Sequence, residues 1–255
     1  MTDAPGLPTL TVDGHRATIR LNRPAVHNRF EPDDLVEMMR LLDVVDADAN
    51  LRVLVLTATG KSFSSGFFIQ QIGQDRDAAT PGFDLMTERM ERVRIPTIAS
   101  LNGGVYGGST DLALGCDFRI GVTGMALRMP AAALGLHYYP GGMQRYVSRL
   151  GLDVAKRLFL LAERIEAEEL LRIGFLTELV APDALEATVN AKAAILAANA
   201  PLAVQGMKKA LNDIARGDAD LAEITARAGA VGRSADLQEG RLAWMEKRAP
   251  VFKGR

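Results

Sequence analysis

The stretch "NGGVYGGSTDLALGCDFRI", Asn102 to Ile120, decides how the rest of the chain is read. It continues "IPTIASLNG" (Ile95 to Gly103), a short β-branched and apolar run closed by glycine, which predicts a buried strand. Small residues then lead to Leu112, Ala113 and Cys116, whose spacing predicts a helix starting at Gly107 or Gly108. "DFRIGV" (Asp117 to Val122) predicts the next strand. Strand, glycine turn, helix and strand in succession indicate an α/β fold. The turn also has a chemical use. The first turn of a helix leaves its N–H groups unpaired and partly positive, and glycine lets a ligand come close to them.

The same alternation extends outward. "HRATIRLN" (His15 to Asn22) alternates as a strand does, and "LRVLVLTATG" (Leu51 to Gly60) is a buried-strand run ending in a glycine turn. Between them, "PDDLVEMMRLLDVVDAD" puts Pro32 at a first helical position, acids in the first turn, and Leu35, Met38, Met39, Leu42 and Val45 at helical spacing. From Asp153 onward the pattern is helical: "DVAKRLFLLAERI", "EAEELLRIGF" stopped by Gly174, "DALEATVNAKAAILAANA" stopped by Pro201, and "LAVQGMKKALNDIARG". The change near residue 150 divides the chain into a site-bearing core, 1–150, and a helical lobe, 151–255.

Composition narrows the function. A chain of 255 residues with 48% apolar content can fill a sizeable core. Thirty Lys+Arg against thirty-one Asp+Glu leave a net charge of -1, so no global field draws the chain to nucleic acid or an anionic membrane. An RNA-binding role is further opposed by the absence of interleaved aromatic and basic stripes. "MTDAPGLPTL" has no basic n-region or apolar h-region, and no apolar run approaches the roughly 18 residues of a membrane span, so a cytoplasmic location is expected. The single cysteine, Cys116, excludes an internal disulfide and reads as a small buried hydrophobe. With histidines only at His15, His27 and His137, no His-rich metal site is expected, and His27 reads as a turn residue.

Five segments taken in order carry a resemblance that spans nearly the whole chain: "LNRPAVHN" (21–28), "SFSSGFFIQQI" (62–72), "NGGVYGGSTDLALGCDFRI", "LGLHYYPGGMQRYVSRLG" (134–151) and "SADLQEGRLAWMEKRAPVFKGR" (234–255). Together they resemble the crotonase superfamily, that is, the enoyl-CoA hydratase/isomerase family. The resemblance implies a spiral of ββα units with a helical C-terminal lobe that makes a trimer or a dimer of trimers. It implies an acyl-CoA substrate whose thioester carbonyl is polarised by two backbone N–H groups, and by position those donors are Phe67 and Gly108. It assigns CoA contacts to Ser65, Phe68, Ile69, Lys247 and Arg248. For the last two, a solvated basic helix end is the other reading. No metal or nicotinamide is implied; coenzyme A enters only as part of the substrate.

The departures from the family bear on the reaction. A typical hydratase of the family holds water between two glutamates, which fall here on Asp111 and Ala131. The first acid is one methylene shorter, setting its carboxylate back by roughly 1.5 Å. The second is gone, and the whole segment from Leu127 to Tyr146 holds no acid. The "HYY" cluster that follows is the expected substitute. Tyr138 follows a Leu-Gly step as in the methylmalonyl-CoA decarboxylase-like branch, and Tyr139 stands where dehalogenase-like and dienoyl-isomerase-like branches have aspartate. Against this, the decarboxylase-like branch has histidine at the place of Phe67, and most members have aspartate at that of Phe68.

The candidate acid/base groups are therefore Asp111, His137, Tyr138 and Tyr139. Asp111 on an apolar helix reads as a buried acid with a perturbed pKa, or else as an acid favoured by the helix dipole. His137 suits proton transfer near neutrality, or is hydrogen-bonded structure. The tyrosines suit donation better than base catalysis. The expected chemistry is hydration or double-bond isomerisation through an enolate. Decarboxylation, other enolate chemistry, and a non-catalytic CoA-binding role remain alternatives. Leu158, Leu161 and Leu170 are expected to pack between subunits.

Overall fold

The structure is a computed structural model that describes residues 6–71 and 80–255. The first five residues of the N-terminal stretch, and Ile72 at the end of the first glycine segment, lie outside the described residues. β1 (Thr9–Asp13) and β2 (Arg16–Leu21) form an antiparallel hairpin. α1 (Pro32–Ala47) follows, with Pro32 in its first turn and a reciprocal cap between Glu31 and Asp34.

A unit of two strands and a helix then repeats. β3 (Val53–Ala58), β4 (Ser62–Ser64) and α2 (Phe83–Glu91) make the first, and β5 (Thr97–Leu101), β6 (Gly104–Tyr106) and α3 (Gly108–Gly115) the second. β7 (Phe118–Val122), β8 (Ala126–Arg128) and α4 (Pro140–Leu150) make the third. Each unit gives its first strand to one sheet and its second to another. The larger sheet runs β1-β2-β3-β5-β7-β10 and the smaller β4-β6-β8-β9, with β9 (Arg164–Glu166) and β10 (Glu178–Val180) arriving late in the chain. The pairs from β2 to β10 are parallel, and every residue of β3 and β5 is buried, as expected of a parallel sheet covered on both faces. The remaining helices are α5 (Leu152–Leu161), α6 (Ala167–Arg172), α7 (Leu185–Ala198), α8 (Pro201–Arg216), α9 (Leu221–Val231) and α10 (Ala235–Glu246).

Several expectations need correction. The helix expected to run through Ile165 stops at Leu161, where Ala162 turns left-handed at φ 48°. Arg164–Glu166 instead pair antiparallel with β8, so an open sheet edge overrides local helix preference and Ile165 is buried. β9 and β10 complete both sheets from beyond residue 150, while α4 is already helical before it, so sheet and helix interleave across that boundary. Leu158 and Leu170 do not face outward. Both are 0% exposed within the chain's own core: Leu158 on α5, which packs against α4, and Leu170 on α6, which packs against β8, β9 and β10; Leu161, the last residue of α5, is 73% exposed. No single helix among the described residues is long and apolar enough to cross a membrane.

Candidate active site

The parallel pairing of β4 with β6 sets the two glycine turns side by side. Ser109 Oγ lies 3.0 Å from the Ser64 carbonyl and 2.7 Å from that of Tyr106, tying one turn to the other. Gly66 sits at φ +89°, where a methyl group would fall 2.6 Å from the Tyr106 carbonyl and 3.1 Å from Gly108 N; glycine alone permits this approach. Phe30 brackets the first turn. Its N–H donates to the Gly66 carbonyl (2.9 Å) and its own carbonyl accepts from Phe68 N–H (2.9 Å). The amide between them, Phe67 N–H, donates to no acceptor among the described residues, and neither does Gly108 N–H in the first turn of α3. Phe67 and Gly108 line one cavity of about 320 Å³.

The opposite wall comes from the segment without acids: Ala131, Leu134, Leu136, His137, Tyr138 and Tyr139. Ala131 offers only its methyl group. The two tyrosine rings stack at 4.2 Å between centroids. Tyr138 donates from its hydroxyl to Tyr139 Oη (3.1 Å), and Tyr139 donates to Asp111 Oδ2 (2.5 Å). Asp111 itself is fully buried and is not among the residues that line the cavity. Arg145 Nη1 donates to both of its oxygens at 2.8 Å, and Arg145 Nη2 donates to Glu91 Oε2 at 3.2 Å. Glu91 also pairs with Arg149 (2.9 Å) and Arg216 (3.6 Å). A hydrogen-bonded line thus runs from the cavity wall through Tyr138, Tyr139 and Asp111 to a buried arginine and glutamate.

Electrostatics fixes which of these groups carry protons. Burial pushes Tyr138 and Tyr139 well above the usual tyrosine value, and the neighbouring Asp111 adds to it, so both hydroxyls stay protonated and act as donors. Burial also raises Asp111, against the opposing pull of Arg145 and the Tyr139 hydroxyl. For Glu91 burial is outweighed by Arg145 and Arg149, which hold it below the ordinary glutamate value. His137 Nδ1 lies 2.8 Å from the Tyr138 carbonyl. A carbonyl only accepts, so Nδ1 carries the hydrogen there, and a neutral ring leaves Nε2 as a free lone pair.

A model of the enoyl-CoA hydratase/isomerase family matches residues 14–255. The chain belongs to that family. It is 31% identical to the short-chain-enoyl-CoA hydratase of Clostridium acetobutylicum over 94% of each chain. It is 33% identical to the crotonyl-CoA hydratase of Syntrophomonas wolfei, covering 92% of this chain and 94% of that one. Among solved structures, an enoyl-CoA hydratase from Bacillus anthracis superposes with a TM-score of 0.88 at 29% identity, covering 97% of this chain and 99% of the other. The enoyl-CoA hydratase/isomerase family is a family of enzymes, and the spiral of ββα units is its fold in this chain.

Within this family member, the residues singled out from sequence are not all brought together. Ser65, Phe67, Ile69, Gly108, His137, Tyr138 and Tyr139 share the cavity; Asp111 lies behind Tyr139. Phe68 is not a lining residue, and its ring lies under the Arg29 guanidinium at 3.8 Å. Lys247 and Arg248 are also outside the lining: they directly follow α10, where Arg248 pairs with Glu239 and Glu246 at 2.6 Å each. Sequence reasoning missed Arg145, Glu91 and Asp84. Asp84 is the only carboxylate-bearing residue among the described residues that line the cavity. Glu91 and Asp84 both lie on α2, and their signal was the helical spacing of Asp84, Thr87, Glu88 and Glu91 along one face. A larger cavity of about 520 Å³ shares Glu91 with this cluster, and three of its bordering cations, Lys208, Lys209 and Arg216, are engaged by Asp117, Asp213 and Asp218. Among the described residues no group of three or more His, Cys, Asp or Glu side chains is placed to hold a metal ion.

Proposed function

We propose that this chain acts on an acyl-CoA thioester through an enolate whose oxygen is held by the backbone N–H groups of Phe67 and Gly108. The observation that carries the proposal is the pair of amides without acceptors on one cavity. Taking a proton from the carbon beside a thioester moves an electron pair onto its oxygen, and each preorganised donor there contributes on the order of 3 kcal/mol. Double-bond isomerisation fits this cavity better than hydration. It needs a proton removed at one carbon and returned at another: His137 Nε2 takes the first, and Tyr138, turning its hydroxyl from Tyr139 to the substrate, gives the second and is reprotonated by the proton on His137. Hydration needs a water held by acids, and here Ala131 has none while both Asp111 oxygens are taken by Arg145. Asp111 on this account is a positioning residue that acts through Tyr139.

Decarboxylation is the second possibility, favoured by a cavity whose tyrosines donate protons. The enzyme is assigned to the cytoplasm and to a homotrimer or dimer of trimers, for which Leu161, Trp244 and Met245, at 73%, 84% and 72% exposure, are the apolar surface; light scattering at micromolar concentration reads the assembly. The chemical test is exchange of the α-proton of acyl-CoA thioesters in deuterium oxide. Wild type is expected to incorporate deuterium, and Gly66→Ala, which displaces Gly108 N, to slow exchange by about 100-fold. Thioester binding with neither exchange nor turnover identifies a non-catalytic homologue, and loss of carbon dioxide from a carboxylated thioester identifies the decarboxylase.

A further inference from the structure

The cavity is lined by apolar side chains and uncharged polar groups, with no lysine or arginine among its described lining residues. Among the described lining residues the one carboxylate is Asp84, in the first turn of α2. The face of α2 that bears it runs along the tyrosine line. One turn on, Glu88 reaches toward Gly141 beside the tyrosine segment, and Thr87 is a hydrogen-bonding neighbour of Tyr139. One turn further, Glu91 holds Arg145. Residues at this spacing share a side of the helix, so Asp84 is turned toward the cavity as the others are toward the tyrosines and Arg145. Among the described residues Asp84 has no ion-pair partner within the cavity, whereas Asp111 and Glu91 are both answered by arginine.

We propose that Asp84 makes this cavity select acyl groups without negative charge. This rests on the acyl-CoA reading above and names the substrate class within it. An acyl chain ending in a carboxylate would leave water for a small, largely apolar space whose described lining supplies no lysine or arginine and already holds one carboxylate, so desolvation and like-charge repulsion both oppose it. A methyl-ended chain of the same length meets neither cost. The inference weighs against a carboxylated thioester as the substrate and in favour of the isomerase over the decarboxylase.

The test is competition binding with saturated acyl-CoA thioesters of equal length, one ending in methyl and one in carboxylate, with free CoA as reference. Saturated chains keep double-bond turnover out of the measurement. Wild type is expected to prefer the methyl-ended thioester by at least about tenfold. In Asp84→Asn that preference should fall at least about fivefold, through tighter binding of the carboxylate-ended thioester. Asp84→Ala should shift the preference in the same direction, which guards against a local effect of the amide. Equal wild-type affinity for the two thioesters, or a preference unchanged in both variants, overturns the role of Asp84 and leaves the acyl-CoA reading standing. If no thioester and no free CoA binds at all, the acyl-CoA reading fails and this inference falls with it.

Discussion

Arg145 Nη1 lies 2.8 Å from each carboxylate oxygen of Asp111, and neither side chain is more than 2% exposed. A pair so placed is indifferent as a pair but costly to break, because one partner left alone is a buried charge without compensation. Arg145→Met should therefore cost about 3–5 kcal/mol in urea unfolding. Asp111→Asn should cost less, since Arg145 keeps Glu91 as a partner. A loss below about 1 kcal/mol for Arg145→Met, the size of an exposed pair, would mean that the two groups do not meet in solution.

The tyrosine line predicts a pattern in turnover. Tyr138→Phe removes the hydroxyl at the cavity end of the line, the one that turns from Tyr139 to the substrate, and should lower kcat about 10- to 1000-fold, in the range of general-acid contributions of roughly 10²–10⁴. Asp111→Asn should act on kcat with little change in KM, because Asp111 reaches the substrate only through Tyr139. The double variant Asp111→Asn, Tyr139→Phe should then be scarcely worse than the poorer single variant. Steady-state kinetics on the substrate found by proton exchange measures all three. Full additivity would show that the two residues work apart.

Alkaline pH offers a check on burial. Tyr138, Tyr139 and Tyr146 are each raised well above 10.0, chiefly by burial. Below pH 10 these groups are neutral in both folded and unfolded chains, and their contribution is intact. Above it the unfolded chain ionises first and binds fewer protons than the native one, so stability falls as pH rises toward the folded values. Urea midpoints should drop across that window, and tyrosinate absorbance should appear together with unfolding. Ionisation of these three in the native state near pH 10 would contradict their burial.

What the sequence disclosed, and what it hid, follows from the range of the interactions. The turn at Gly66 and the helix start at Gly108 were legible because a backbone that needs a left-handed angle or a close approach is written locally as glycine. Pro32 marked the start of α1 just as locally, because its ring fixes a helical φ and it has no N–H to leave unpaired in the first turn. The partnership of Asp111 with Arg145 spans 34 residues and exists only once α3 packs against α4; no spacing rule announces it. Leu158 and Leu170 show the converse failure. Their helical periodicity was plain, but periodicity names an apolar face and leaves open whether that face meets the chain's own core or another subunit.

The lost glutamate gives the sharpest test of why hydration should be slow. Ala131 is 3% exposed and lines the cavity, so Ala131→Glu returns one carboxylate to the wall. A single acid is not enough, because the other, Asp111, has both oxygens engaged by Arg145 and one also by Tyr139. Ala131→Glu alone should therefore leave hydration of a four-carbon enoyl-CoA slow. Adding Tyr139→Phe removes the hydroxyl that covers Asp111 Oδ2 and opens that oxygen to a water on the cavity side. The combined variant should hydrate at least about tenfold faster than either single one, a gain of about 1.4 kcal/mol at the transition state. The shorter side chain of Asp111 keeps full recovery out of reach. If Ala131→Glu by itself reached a kcat/KM of about 10⁶ M⁻¹s⁻¹, Asp111 would have to be open to water in the working enzyme, and the line from Tyr139 to Arg145 could not be what suppresses hydration.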